Sequence, residues 1–224
     1  YYHNKKSTNN NIWKKITEKS NNILSNDVFS KLNIRKNSNI LDLGCGKNKI
    51  LKLFKNNFIK YKNYYGIDFD ISNLLLNIKS SFRNVNYNHL DLSKNWDNQD
   101  SWTLIDQEIN YDYIFIINSL MHFNTNIFWD QLNELLNSNT KIIFNILNDK
   151  VNKRFEFDKS YIYKKENKVY YYFDSIHSYE MNEDFIYQKD ILEKIKKYNL
   201  KIEYNWTYDD DIHSLYDWYI VSKI

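Results

Sequence analysis

Through most of the chain, short apolar runs alternate with segments in which apolar residues recur at helical spacing. The runs predict seven strands, at 39–43, 64–68, 85–90, 113–118, 141–147, 201–206 and 217–222. The segments between them predict helices at 48–57, 72–80, 126–136 and 189–198, with an irregular or helical stretch at 95–109. Strands that alternate with helices are typical of a mostly parallel sheet covered by helices on both faces. The pattern therefore predicts an α/β fold.

A helical pattern also precedes the first strand. Apolar residues recur at helical spacing from Ile12 to Leu24, and a second short helical piece is predicted at 28–32. We therefore expect residues 1–36 to form an N-terminal helical extension to one domain at 37–224.

Late in the chain the alternation is interrupted by two aromatic, strand-like runs at 159–163 and 168–173. The polar residues between them fit a turn, so the runs predict a β-hairpin. We place this hairpin in an insertion at about 151–180, with helices and strands of the main pattern resuming after it.

The glycines are unusually informative because the chain has three of them and no proline. Gly44 and Gly46 lie in the turn after the first strand, and Gly66 lies in the second strand. Glycine lets a ligand approach the main chain closely, and the helix after the turn offers free N–H groups. Asp68 follows about 20 residues later, the spacing expected of a carboxylate that binds ribose hydroxyls. The turn and Asp68 together predict a nucleotide site.

Sheets of this class bind ligands beyond the carboxyl ends of their strands. The candidate cofactor-binding residues at these ends are Asp42, Gly44, Cys45, Gly46, Lys47, Asp68, Asp91 and Asn118. Asp91 could accept a hydrogen bond from an adenine amino group, although an acid there also fits a turn or a helix N-cap. Cys45 fits a small packing residue better than a nucleophile. His122 and Phe123 are expected at the mouth of the cleft, although a histidine there is also common as a packed or solvated side chain.

Composition limits the remaining possibilities. The net charge of +3 is too small to indicate nucleic acid by itself. One cysteine excludes an internal disulfide, and no Cys/His cluster has zinc spacing, so we expect no metal. No apolar run reaches membrane-spanning length and no secretory segment is present, which predicts a cytoplasmic location and no membrane partner. The abundance of Asn, Lys, Ile and Tyr indicates an A/T-rich genome.

The turn Leu41-Asp42-Leu43-Gly44-Cys45-Gly46, with the acid at Asp68, resembles the S-adenosylmethionine site of class I methyltransferases. This resemblance implies a Rossmann-like, mostly parallel seven-stranded sheet and S-adenosylmethionine as the cofactor. The late run Met181-Asn182-Glu183-Asp184-Phe185, with the helix after it and Lys197-Tyr198-Asn199-Leu200-Lys201, resembles mRNA cap guanine-N7 methyltransferases of cells and poxviruses. Weaker similarity to that family extends over residues 10–14, 119–123 and 216–223.

The second resemblance implies roles for particular residues. Those implied to hold S-adenosylmethionine are Lys14, Asp42, Gly44, Lys47, Asp68 and Asp91, and those implied to form a cap-guanine pocket are His122, Phe123, Glu183 and Tyr216. The implied reaction is methyl transfer to guanine N7 by positioning alone, with no catalytic base. The implied partners are capped RNA and either the triphosphatase and guanylyltransferase part of a larger capping enzyme or a stimulatory subunit. The implied setting is a host cytoplasm or virion, with a virus or cytoplasmic plasmid as the source.

Two other functions stay open at this point. A class I methyltransferase acting on a small molecule or a protein would share the cofactor turn and differ in its acceptor pocket. A methyltransferase-like regulatory subunit without catalysis is a third possibility, but the intact Asp42, Gly44, Gly46 and Asp68 argue against it. Glu183 itself could also cap the helix beginning near Lys189 or face water.

Overall fold

The structure is a computed structural model, and it describes residues 12–79, 82–99, 105, 108–148, 151, 155–157, 160–172, 179–207 and 215–224. Residues 1–11 of the predicted N-terminal extension therefore lie outside the described residues, as does part of the stretch predicted at 95–109.

The strands of the described chain are β1 (Asn39–Leu43), β2 (Asn63–Asp68), β3 (Val85–His89), β4 (Tyr113–Ile116), β5 (Lys141–Leu147), β6 (Phe155–Phe157), β7 (Ser160–Lys165), β8 (Lys168–Tyr172), β9 (Met181–Asp184), β10 (Leu200–Trp206) and β11 (Tyr216–Lys223). The α-helices are α1 (Ile12–Asn22), α2 (Phe29–Leu32), α3 (Lys49–Asn56), α4 (Ile71–Ile78), α5 (Asn126–Glu134) and α6 (Gln188–Lys197). A π-helical segment, Ile23–Val28, joins α1 to α2.

Seven strands form the main sheet in the order β10-β11-β5-β4-β1-β2-β3. β1 to β5 pair in parallel, whereas β11 runs antiparallel to both β5 and β10. The strand order reverses at β1, which has β2 on one side and β4 on the other. Ligands of open α/β sheets bind at such a reversal, so the topology places a binding cleft beyond β1 and β4.

Alternate residues of the central strands face different helical layers. Tyr113 and Phe115 of β4 pack into one buried cluster with side chains of the N-terminal helical segments and α3. Ile114 and Ile116 pack into a second cluster with side chains of α5 and α6. Every residue of β4 is buried because helices cover both faces of the sheet. The predicted α/β fold, with a mostly parallel seven-stranded sheet, is confirmed.

A smaller antiparallel sheet has the order β6-β7-β8-β9. β7 and β8 form the predicted hairpin, but the sheet extends past the predicted insertion at 151–180 because β9 pairs with β8. Val169 of β8 and Phe185 after β9 share a buried cluster with Ile16 of α1 and Leu147 of β5. The small sheet is therefore packed against the end of β5 by apolar contacts.

None of the helices within the described residues is both long and apolar enough to cross a membrane.

Candidate active site

The turn after β1 is tied to β2 by backbone hydrogen bonds. The N–H groups of Gly44 and Cys45 both donate to the carbonyl of Ile67, at 2.8 and 2.9 Å. Gly44 has φ +78°, and a Cβ built on it would lie 2.5 Å from Cβ of Ser119. Ser119 is itself fixed because its hydroxyl donates to the carbonyl of Leu43 at 2.9 Å. Glycine is required at 44 both for this backbone conformation and for the close approach of Ser119.

Asp68, at the end of β2, is oriented by the same turn. Its Oδ2 accepts the N–H of Gly46 at 2.7 Å, and its Oδ1 accepts the N–H of Asp70 at 2.8 Å. The side-chain amide of Asn77 in α4 donates to the carbonyl of Gly46 at 2.7 Å, which holds the turn from the other side. The carboxylate is therefore fixed in place at the edge of the cleft, as a ribose-binding acid requires.

These loops enclose a cleft of about 420 Å³ at the carboxyl ends of β1 to β4. It is lined by Gly44, Asp68, Phe69, Asp70, Leu90, Asp91, Leu92, Asn118, Ser119, His122 and Phe123. A volume of this size lies in the usual range for small-molecule sites. The sequence-predicted residues Gly44, Asp68, Asp91, Asn118, His122 and Phe123 thus meet in one cleft.

Asp91 lines the cleft and also forms the turn that was considered as its other role. Its binding to an adenine amino group stays a prediction. Its Oδ1 accepts the hydroxyl and the N–H of Ser93, at 2.6 and 3.1 Å, as a turn acid would. Its Oδ2 lies 2.9 Å from the ammonium group of Lys94. Hydrogen bonds from Ser93 and Lys94 lower the pKa of Asp91 despite its partial burial, so the carboxylate is charged where it lines the cleft.

Asn118 is held by a side chain of β5 that no sequence motif marks. The buried side chain of Asn145 in β5 accepts the N–H of Asn118 at 2.7 Å and donates to its side-chain oxygen at 2.5 Å. These bonds fix Asn118 at φ +57°, a left-handed conformation that asparagine tolerates better than most residues. Asn145 therefore shapes the cleft wall through Asn118.

Asp42 lies beneath the turn and does not line the cleft. Tyr64 of β2 donates a hydrogen bond to its Oδ2. Burial raises the pKa of Asp42 to about 7, and burial lowers the pKa of the neighbouring Lys49 to about 8. Lys49 in turn donates to the hydroxyl of Ser20 at 3.0 Å. In this structure Asp42 supports the turn from below.

Four other residues predicted to bind the cofactor, Lys14, Cys45, Gly46 and Lys47, do not line the cleft. Gly46 is held in the turn by its hydrogen bonds to Asp68 and Asn77. Lys14 is exposed on α1 and lies 3.8 Å from Glu18, and Lys47 is exposed in the turn. Cys45 is buried with its sulfur beside Gly66, and burial raises the pKa of its thiol, which agrees with the packing role expected for it. Their roles in binding the cofactor stay predictions.

A second group of side chains lies at the mouth of the cleft. Nε2 of His122, which lines the cleft, is 3.9 Å from Oε1 of Glu183 in β9. Tyr171 of β8 donates a hydrogen bond to the same carboxylate oxygen. Burial and the charge of Glu183 raise the pKa of Tyr216, which starts β11 and shares a buried cluster with Tyr171. The structure thus brings His122 and Glu183 into contact and Tyr216 close enough to feel the charge of Glu183. The cap-guanine pocket that the resemblance implies stays a prediction.

Sequence reasoning missed Ser119, Asn145 and Tyr171 at this site. Ser119 donates to the backbone carbonyl of Leu43, and Asn145 accepts the backbone N–H of Asn118. No sequence motif marks such contacts. Tyr171 stands in a run of three tyrosines, Tyr170 to Tyr172, where nothing distinguishes the middle one. The alternation of side chains along a strand shows only that the side chain of Tyr171 points to the opposite face from those of Tyr170 and Tyr172.

Solved structures share the architecture over nearly the whole chain. An S-adenosylmethionine-dependent methyltransferase from Clostridium acetobutylicum is 14% identical, with a TM-score of 0.57, over 97% of this chain and 93% of that chain. CalS10, an amino pentose methyltransferase from Micromonospora echinaspora solved with S-adenosylmethionine bound, is 10% identical, with a TM-score of 0.61, over 100% of both chains. The glycopeptide N-methyltransferase MtfA in complex with S-adenosyl-L-methionine is 7% identical, with a TM-score of 0.61, over 88% of this chain and 92% of that chain. At these identities the likeness shows the fold, which is that of class I methyltransferases.

The chain belongs to a methyltransferase domain family, because the model of that family matches residues 20–200. No curated protein sequence matches the chain. The predicted S-adenosylmethionine-dependent methyltransferase class and its cofactor, S-adenosylmethionine, are confirmed. Asp68, Asp91 and Asn118 bring polar groups to the cleft, and their binding of the adenosine part of the donor stays a prediction.

Proposed function

We propose that the protein transfers a methyl group from S-adenosylmethionine to N7 of the guanine cap of RNA. The observation that carries the proposal is the contact of 3.9 Å between Glu183 and His122 at the mouth of the donor cleft. The two residues are 61 positions apart in the chain, and both belong to segments that resemble cap methyltransferases. A carboxylate in contact with a residue that lines the donor cleft supports an acceptor site next to the donor.

The chemistry of guanine N7 fits a site without a general base. N7 carries a free lone pair, which forms the new N–C bond while the C–S bond of the sulfonium breaks and sulfur keeps the electron pair. The products are S-adenosylhomocysteine and a positively charged N7-methylguanine, and no proton is removed. Such a reaction depends on in-line positioning and on electrostatics.

Glu183 has the chemistry to hold the acceptor. A carboxylate can accept from guanine N1–H and from the exocyclic amine, and unstacked bases are commonly held by such edge bonds with aromatic stacking. The side chain of Glu183 is 22% exposed, so part of it is accessible to a ligand. Phe123 and Tyr216 are the aromatic residues of the predicted pocket, and the negative charge of Glu183 also stabilises the cation that forms on the methylated ring.

The proposal includes capped RNA as the substrate. It also includes, as a partner, the triphosphatase and guanylyltransferase part of a larger capping enzyme or a stimulatory subunit, acting in the cytoplasm. These partners follow from the resemblance to cap methyltransferases alone.

The test is transfer of a labelled methyl group from S-adenosylmethionine to RNA with an unmethylated guanine cap. Glu183→Ala is expected to reduce cap methylation about 100-fold or more and to leave the affinity for S-adenosylhomocysteine nearly unchanged. Glu180→Ala is the matched control, because Glu180 is exposed one residue before β9 and accepts from Tyr161 at 2.8 Å. It is expected to behave like the wild type.

Three outcomes would contradict the proposal in different ways. Intact binding of S-adenosylhomocysteine with no transfer to the cap, and no competition by GpppA or GTP, would indicate a small-molecule or protein methyltransferase. Equal loss of cap methylation and donor affinity in Glu183→Ala would make Glu183 a structural residue. Absence of any binding of S-adenosylmethionine or S-adenosylhomocysteine in calorimetry would indicate a regulatory subunit.

A further inference from the structure

Glu183 is fixed by a neighbouring strand of the small sheet. In the antiparallel register Val169 lies opposite Glu183 and Tyr171 lies opposite Met181. Tyr171 and Glu183 are thus diagonal neighbours on the same face, close enough for long side chains to meet. The hydroxyl of Tyr171 donates a hydrogen bond to Oε1 of Glu183.

The two oxygens of this carboxylate have different surroundings. Within the described part of the chain, the hydrogen bond from Tyr171 and the 3.9 Å contact with His122 both end on Oε1. An ionised carboxylate has about four lone-pair sites on two oxygens. Oε2 is therefore the oxygen whose acceptor sites these residues leave to a ligand.

The hydroxyl of Tyr171 acts as a donor at any ordinary pH. Burial raises its pKa, and the hydrogen bond to Glu183 and the charge of Glu183 raise it further. A protonated phenol next to a carboxylate donates to it, and hydrogen bonds to ionised groups are the stronger kind. Tyr171 therefore restrains the side chain of Glu183 in one conformation.

We propose that Tyr171 is a positioning residue for acceptor recognition: it holds Oε1 of Glu183 so that Oε2 faces the two donor groups of the guanine edge. The inference rests on the proposed function and deepens it. It assigns the discrimination of the acceptor to a pair of residues, Tyr171 and Glu183, in which only Glu183 touches the base.

The experiment measures the dissociation constant of GpppA and the cap-methylation kinetics for Tyr171→Phe. This variant is expected to bind GpppA about ten-fold more weakly and to raise KM for capped RNA by a similar factor, with kcat and the affinity for S-adenosylhomocysteine little changed. Tyr170→Phe is the matched control. Tyr170 is the adjacent residue on the other face of β8, where its ring stacks on Tyr163 with centroids 5.2 Å apart, so its loss of a hydroxyl is expected to leave both constants unchanged.

A double-mutant cycle separates positioning from a general structural effect. In the Glu183→Ala background the Tyr171→Phe change is expected to weaken GpppA binding no further, because the acceptor that it orients is gone. The inference is overturned if Tyr171→Phe binds GpppA as tightly as Tyr170→Phe does, or if its effect adds in full to that of Glu183→Ala.

A measurement on the protein without acceptor keeps this inference distinct from the proposed function. The hydroxyl proton of Tyr171, assigned by its loss in Tyr171→Phe, is expected to be protected from solvent exchange in the wild type and to lose that protection in Glu183→Ala. If the protein binds no cap at all, the proposed function fails. Loss of protection in Glu183→Ala then still supports positioning of Glu183 by Tyr171, and unchanged protection overturns it.

Discussion

Substitution of Gly44 by alanine tests the account of the donor turn most directly. Two costs are expected. At φ +78° an L-residue is strained, which costs about 1–2 kcal/mol. The new Cβ would also lie 2.5 Å from Cβ and 2.7 Å from Oγ of Ser119, well inside a normal carbon contact. Overpacking of this kind typically costs about 1–3 kcal/mol. The free energy of unfolding should therefore fall by about 2–5 kcal/mol.

The chain contains its own control for the strain alone. Gly46 also has a positive φ, +48°, but a Cβ built on it meets nothing within 4 Å among the described atoms. Gly46→Ala should therefore cost only about 1–2 kcal/mol. The difference between the two variants in urea unfolding measures the contact between Gly44 and Ser119.

Donor binding gives the second part of this test. Gly44 and Ser119 both line the cleft, so pushing them apart should weaken binding of S-adenosylhomocysteine in calorimetry. Adding Ser119→Gly to Gly44→Ala removes the colliding atoms and should restore part of the stability, less the hydrogen bond from Ser119 to Leu43. Equal destabilisation by Gly44→Ala and Gly46→Ala would refute the packing argument.

Three further substitutions test the rest of the site. Asp68→Ala should weaken S-adenosylhomocysteine binding about 10- to 100-fold in calorimetry, while circular dichroism shows an intact fold. Unchanged affinity would mean that the ribose binds elsewhere. Asn145→Ala should cost about 1–3 kcal/mol in urea unfolding, because it leaves the N–H of Asn118 without its partner, and a neutral result would contradict that role. Burial raises the pKa of Asp42 from 3.8 in the unfolded chain to about 7 in the native protein. Between these two pH values the native protein holds a proton that the unfolded chain has released. The stability that this group contributes is therefore fully present below pH about 4 and is lost as the pH rises through about 7. Asp42→Asn should flatten this decline in unfolding free energies measured between pH 5 and 8, and an unchanged slope would show that Asp42 is ionised without penalty.

The elements of the main sheet could be predicted because their signals are local. The apolar runs of β1 and β5 were predicted with the bounds that the structure shows, Asn39–Leu43 and Lys141–Leu147. The glycine turn was equally visible, because few other residues adopt its conformation. The small sheet was predicted only as a hairpin, since Met181–Asp184 carries charged and polar residues and becomes a strand through its pairing with β8.

The role of Asp42 shows where local reasoning stops. It lies between Leu41 and Leu43 at the expected end of a strand, and its position agrees equally with binding the donor and with supporting the turn. In the structure its burial and its bond to Tyr64 of the next strand show the supporting role, and its binding of the donor stays a prediction. Neither the burial of Asp42 nor its hydrogen bond to Tyr64 can be read from the residues around Asp42 in the sequence.

By itself, then, the sequence determined the alternation of strands and helices, the turn at Gly44 and Gly46, and the acid at Asp68, because each depends on residues close together in the chain. Only the tertiary structure decided that Glu183 reaches His122 and that Tyr171, rather than Tyr170, holds it. Those contacts depend on the register of β8 with β9 and on the packing of the small sheet against the end of β5. Pairings between distant segments are fixed by the burial of the whole fold, which no local pattern records.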